Sequence, residues 1–133
     1  MGLKDKNNKF DRKRLINSFK YAFDGIIPAY DGEQNLKIHS LFVVIVIVFG
    51  FLLKISMMEW FICMILFGMV ISLELVNTSI EYLVDIATDK YSDIAKKALD
   101  ISALAVFVNA LISFIIGLII FVPKLIIYIN NIL

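Results

Sequence analysis

Glu74, Asn77, Glu81 and Asp85 stand 3, 4 and 4 residues apart, and they follow residues 61–73, thirteen positions without a charge. On a helix their directions are roughly 0°, 300°, 340° and 20°, an arc of about 80°. Leu75, Val76, Ile80, Leu83 and Val84 keep the rest of that surface apolar. One ionised acid at the centre of a bilayer costs about 2.5–3.5 kcal/mol, so three acids on one face need partners, water, protons or a metal. Polar glue between helices is one reading, but a typical membrane hydrogen bond contributes only about 0.6 kcal/mol and needs no acids. The chemical reading is a site: carboxylates and an amide oxygen are hard ligands that suit Mg²⁺, which commonly arrives with phosphates. A spare carboxylate can then serve as general base.

Two further clusters flank this face. Glu33, Gln34, Asn35, Lys37 and His39 precede an apolar run. From there Glu33 is within reach of the helix end where Glu81 and Asp85 emerge. His39 reads more readily as an interfacial anchor than as a catalyst. Residues 93–106 bring Asp100 into a second apolar run, with Lys96 four residues earlier. That spacing fits an ordinary helical ion pair. It fits equally a basic group meeting phosphate with an acid beside the headgroups. No phosphate-binding P-loop, dinucleotide-binding glycine pattern or H-E-x-x-H is present, and the Ser and His residues are too scattered for a triad.

The elements that must position these groups are membrane helices. The 133 residues are 60% hydrophobic, with a mean hydropathy of +0.86, above the near-half apolar content of soluble domains. Three apolar segments, at about 36–56, 58–87 and 94–121, each reach the roughly 20 residues that cross a bilayer. Isolated strands would leave their backbone unpaired in lipid. Ahead of them, Leu15, Phe19, Phe23 and Ile26 recur at spacings of 4, 4 and 3, beside Arg12, Lys13, Arg14 and Lys20. This predicts a basic amphipathic helix within about 10–30, lying on an anionic headgroup surface. Residues 1–11 read as a loose polar segment, and Asp31-Gly32 as a turn. The fold class is therefore all-α membrane protein, a surface helix plus three transmembrane helices in a single domain.

Eight of the Lys and Arg residues fall on the N-terminal side, Lys90, Lys96 and Lys97 after the second span, and only Lys54 and Lys124 opposite. That bias predicts a cytoplasmic N-terminus in a multi-pass protein. No cleavable signal peptide is visible, because the first apolar run begins after a long basic segment. The net charge of +1 gives no field for nucleic acid. A single cysteine, Cys63, excludes an internal disulfide and reads as packed or lipid-facing.

Taken in order, these motifs resemble the small bacterial integral-membrane lipid kinases, the prokaryotic diacylglycerol kinases and the related undecaprenol kinases. Residues 14–22 with Gly25 look like the family's surface helix. Glu33-Gln-Asn-Leu-Lys-Ile-His39 is similar to the E-x-N-x-[KR]-x-H stretch of the Gram-positive branch, and residues 100–106 look like the third-span motif. The resemblance covers about 14–122. It implies a homotrimer with active sites between subunits at the cytoplasmic interface of the bacterial inner membrane, moving the γ-phosphate of MgATP to a lipid hydroxyl. Carried over by position, Glu33 and Glu81 hold Mg²⁺, and Glu74 is the general base on the lipid hydroxyl. Asn77 supports the metal and phosphate region. Arg14, Tyr21 and Asp85 belong near the nucleotide, and Asp100 with Glu74 at the lipid.

Two positions depart from the family pattern. Leu99 stands where a lysine is expected before Asp100, and Lys96, one turn back, is placed to snorkel toward the same phosphate. Leu104 replaces a small residue. The expected acceptor is undecaprenol, with diacylglycerol as the alternative. A non-catalytic membrane scaffold or ATP-deficient relative, favoured by Leu99, and a proton or cation pathway through the same acids are the competing classes.

Overall fold

A computed structural model describes residues 12–31 and 33–132. The polar segment 1–11, and Gly32 of the expected turn, lie outside the described residues. Two compact units divide the chain, Met1–Gly32 and Glu33–Leu133. Five helices and no strand occur among the described residues.

In the first unit, α1 (Arg12–Asp24) and α2 (Ile26–Tyr30) divide at Gly25 the single helix expected there. Gly25 N–H still bonds the Tyr21 carbonyl at 3.2 Å, so the break is a local one. α1 buries none of its residues: Leu15, Ile16, Phe19 and Phe23 all stand exposed. A stripe of this kind with basic neighbours is suited to a headgroup layer.

The second unit holds α3 (Gln34–Leu52), α4 (Met57–Ala87) and α5 (Asp93–Asn130), each long and apolar enough to cross a membrane. α3 ends before the expected boundary near 56, because the chain turns there. Lys54 adopts φ 50°, Ile55 N–H reaches the Gly50 carbonyl at 3.1 Å, and Lys54 N–H reaches that of Phe51 at 3.3 Å. This pair of bonds closes a helix end through a left-handed residue. Gly50 is needed in that closure, since a Cβ there would lie 2.6 Å from the Trp60 ring. Two residues after Lys54, Ser56 opens α4 with a capping box: its Oγ accepts from Glu59 N–H at 3.3 Å, and Glu59 Oε2 accepts from Ser56 N–H at 2.6 Å. The same Glu59 oxygen meets Lys124 Nζ at 3.1 Å, tying the start of α4 to the far part of α5.

α5 runs through Pro123 to Asn130, beyond the expected end near 121. Proline removes one N–H from the ladder, a loss that membrane helices tolerate without ending. The apolar core lies toward the α3–α4 turn: Ile55, Cys63 and Ile120 are buried, with Val46, Trp60 and Phe67 packed on them. Buried polar groups occupy the other end: Glu74, Asn77 and Thr78 on α4, Ser102 on α5, and Asn109 further along α5.

Candidate active site

Antiparallel connections bring the start of α3, the second half of α4 and the start of α5 to one end of the second unit. Glu74 is 2% exposed, and its Oε1 lies 3.0 Å from Nε2 of His39, two turns into α3. One turn on, Asn77 Nδ2 donates to Glu81 Oε1 at 2.7 Å, while its Oδ1 accepts from Ser102 Oγ at 2.7 Å. The Ser102 hydroxyl also lies 2.9 Å from the Leu99 carbonyl, so its single proton serves either acceptor. Asn77 is thus clamped from α5 and orients Glu81.

Glu33, at the head of α3, faces the charges of Glu81 and Glu74. Carboxyls brought near one another favour a proton or a cation between them. The Glu33 carboxyl accordingly sits above the usual carboxylate range: desolvation contributes most, then the nearby Glu81 carboxyl, then the charge of Glu74, against a smaller opposing pull from Lys37. Glu33, Glu74, Asn77 and Glu81, with His39 and Ser102, therefore form one polar patch across three helices. Beside it, an apolar cavity of about 480 Å³ is lined by His39 and runs along the helices to Phe49, Phe121 and Leu125. An acid patch joined through His39 to a hydrocarbon-lined space suits chemistry on the polar end of an apolar molecule.

Residues 20–121 match the family model described as prokaryotic diacylglycerol kinase. The chain belongs to that family. It is a lipid kinase, a phosphotransferase that uses ATP and acts on an alcohol group of a lipid. Among curated relatives, the undecaprenol kinase of Bacillus subtilis is 45% identical over 98 residues, 74% of this chain and 78% of that protein. The diacylglycerol kinase of Synechocystis sp. is 33% identical over 85 residues, 63% of this chain and 49% of that protein.

The remaining site candidates of the kinase take no part in these contacts. Asp85 is exposed on α4, one turn past Glu81. Lys96 Nζ and Asp100 Oδ2 pair at 2.8 Å, both side chains well exposed, and Leu99 is half-buried beside them. Arg14 and Tyr21 are exposed on α1, in the other unit, and Arg14 precedes the stretch matched to the family. Among the described residues no group of three or more His, Cys, Asp or Glu side chains is gathered as a metal cluster. Two partnerships were missed from the sequence: His39, expected as an interfacial anchor, meets Glu74, and Ser102 meets Asn77. Both residues carry a sequence signal, His39 as the last residue of the E-x-N-x-[KR]-x-H stretch and Ser102 two residues after Asp100 in the third-span motif.

Proposed function

We propose that this kinase transfers the γ-phosphate of MgATP to undecaprenol in the bacterial inner membrane, as a homotrimer with its N-terminus in the cytoplasm. The observation that carries the acceptor is the 45% identity to an undecaprenol kinase over most of both chains. The apolar cavity lined by His39, the partner of Glu74, supports a long hydrocarbon substrate.

Glu33 and Glu81 fit a divalent cation, because the repulsion of Glu81 that raises the Glu33 carboxyl is relieved by positive charge between hard oxygen ligands. Mg²⁺, when bound, neutralises charge on the nucleotide phosphates. Asn77, held by Ser102, keeps Glu81 facing Glu33. Glu74 takes the proton of the lipid hydroxyl; the alcohol oxygen forms its bond to the γ-phosphorus as the bond to the β–γ bridging oxygen breaks, and ADP departs. Arg14, Tyr21, Asp85 and Lys96 serve the nucleotide, and Asp100 the lipid headgroup region. Sparse side-chain chemistry suits this reaction, which depends mainly on positioning and charge.

The test is phosphate transfer from labelled ATP in mixed micelles offering undecaprenol or diacylglycerol, with and without Mg²⁺. Product from undecaprenol is expected to need Mg²⁺ and to fall at least 100-fold in Glu74→Gln, within the range attributed to general bases of about 10²–10⁴. Faster turnover of diacylglycerol would reassign the acceptor, and full activity in Glu74→Gln would remove the base.

A further inference from the structure

We propose that His39 is a positioning residue for Glu74, fixing one carboxylate oxygen so that the other faces the lipid hydroxyl. The inference rests on the general-base reading of Glu74. Its ground is the geometry. Nε2 of His39 lies 3.0 Å from Oε1 of Glu74 across the α3–α4 interface, and the histidine side chain is 25% exposed while that of glutamate is 2% exposed. A carboxylate on an apolar helix turns freely about its last side-chain torsion unless a partner holds it. With Nε2–H donating to Oε1, that rotation stops and Oε2 takes one direction. His39 also lines the apolar cavity, so the hydrogen bond joins Glu74 to a space suited to a hydrocarbon chain.

The other charged groups facing Glu74 are Glu33 at the head of α3 and Glu81 on α4. Both are acids that repel the Glu74 carboxylate rather than hold it, whereas Asn77 and Ser102 are committed to Glu81 and to each other. Orientation of the base therefore falls to the imidazole. A purely structural His–Glu pair would lower stability when broken and leave the turnover of the folded fraction unchanged. A positioning residue makes the opposite pattern, because displacement of a reacting group by about 1 Å can cost on the order of 100-fold in rate.

The experiment compares His39→Leu, His39→Gln and His39→Asn with the parent and Glu74→Gln, measuring kcat and KM for ATP at saturating undecaprenol in full-length, detergent-solubilised protein. His39→Leu is expected to lose about 100-fold in kcat with KM for ATP unchanged. Glutamine carries its amide nitrogen out to the reach of Nε2 and is expected to recover most of that loss. Asparagine reaches only as far as Nδ1 and is expected to remain slow. Should His39→Leu fail to fold, the glutamine–asparagine contrast still decides. A folded His39→Leu with parental kcat, or glutamine no faster than asparagine, overturns the proposal. Because the chain has one histidine, its ¹⁵N imidazole resonances need no assignment by mutation. In Glu74→Gln the Nε2 resonance is expected to move more than Nδ1, and the reverse overturns the contact. A parent inactivated by Glu74→Gln but indifferent to His39→Leu defeats this inference alone. A Glu74→Gln variant as active as the parent defeats the general-base reading beneath it.

Discussion

Leu99 stands where a lysine is expected for the nucleotide phosphate, and Lys96 is the proposed substitute. The Lys96–Asp100 pair is short, at 2.8 Å, but both side chains are about three-fifths exposed, and exposed pairs contribute only about 0–1 kcal/mol. Nucleotide phosphate, carrying more charge than one carboxylate, is able to draw Lys96 away. Lys96→Ala is therefore expected to raise KM for ATP several-fold with kcat little changed, and Leu99→Lys to lower KM below the parent value, both by steady-state kinetics. An unchanged KM in Lys96→Ala removes that lysine from the nucleotide site. At this scale the sequence exposed the acids but not their partners. The 3, 4, 4 spacing is a local property that one helix preserves, so the α4 face was readable. The His39–Glu74 and Asn77–Ser102 contacts span 35 and 25 positions, and they depend on which helix faces meet, which no local spacing encodes.

Helix interiors were legible and helix ends less so, for the same reason. Hydropathy marks the apolar stretches, whereas ends depend on single residues. Lys54 in a left-handed conformation ends α3 at Leu52, and Ser56 with Glu59 starts α4 at Met57. Together they make a tight turn out of what reads as a connection over 54–60. Pro123, read as lying beyond the third span, sits inside α5, since membrane helices tolerate one missing N–H without ending. The turn itself gives a prediction. Gly50→Ala places a methyl 2.6 Å from the Trp60 ring, and overpacking of this kind costs about 1–3 kcal/mol. A lower unfolding temperature is expected with kcat retained by the folded fraction, since Gly50 is far along α3 from His39. A variant as stable as the parent would mean that Trp60 moves aside freely.

For the molecule as a whole, most apolar side chains of α3, α4 and α5 are exposed on the single chain, as suits helices covered by lipid or by other protein. The proposed homotrimer makes a specific claim if its sites are shared: inactive Arg14→Ala and Glu74→Gln subunits, co-assembled, recover part of the parent activity. Mixed oligomers without recovery would place each site within one chain. Three spans and a surface helix were readable from composition and periodicity, because each depends on a long stretch of residues; assembly depends on which faces meet and was not. One contact also fixes how the molecule sits. Asp100 and Lys124 are 24 positions apart on α5, about 36 Å along a helix axis, and Lys124 is locked to the first turn of α4 by Glu59. Against a hydrocarbon layer of about 30 Å, this charged spacing acts as a ruler. A thinner bilayer is expected to tilt α5, and with Lys124 held by Glu59 the tilt is expected to reach the helix that bears Glu74 and Glu81, so that activity varies with lipid chain length in the parent and less in Glu59→Gln.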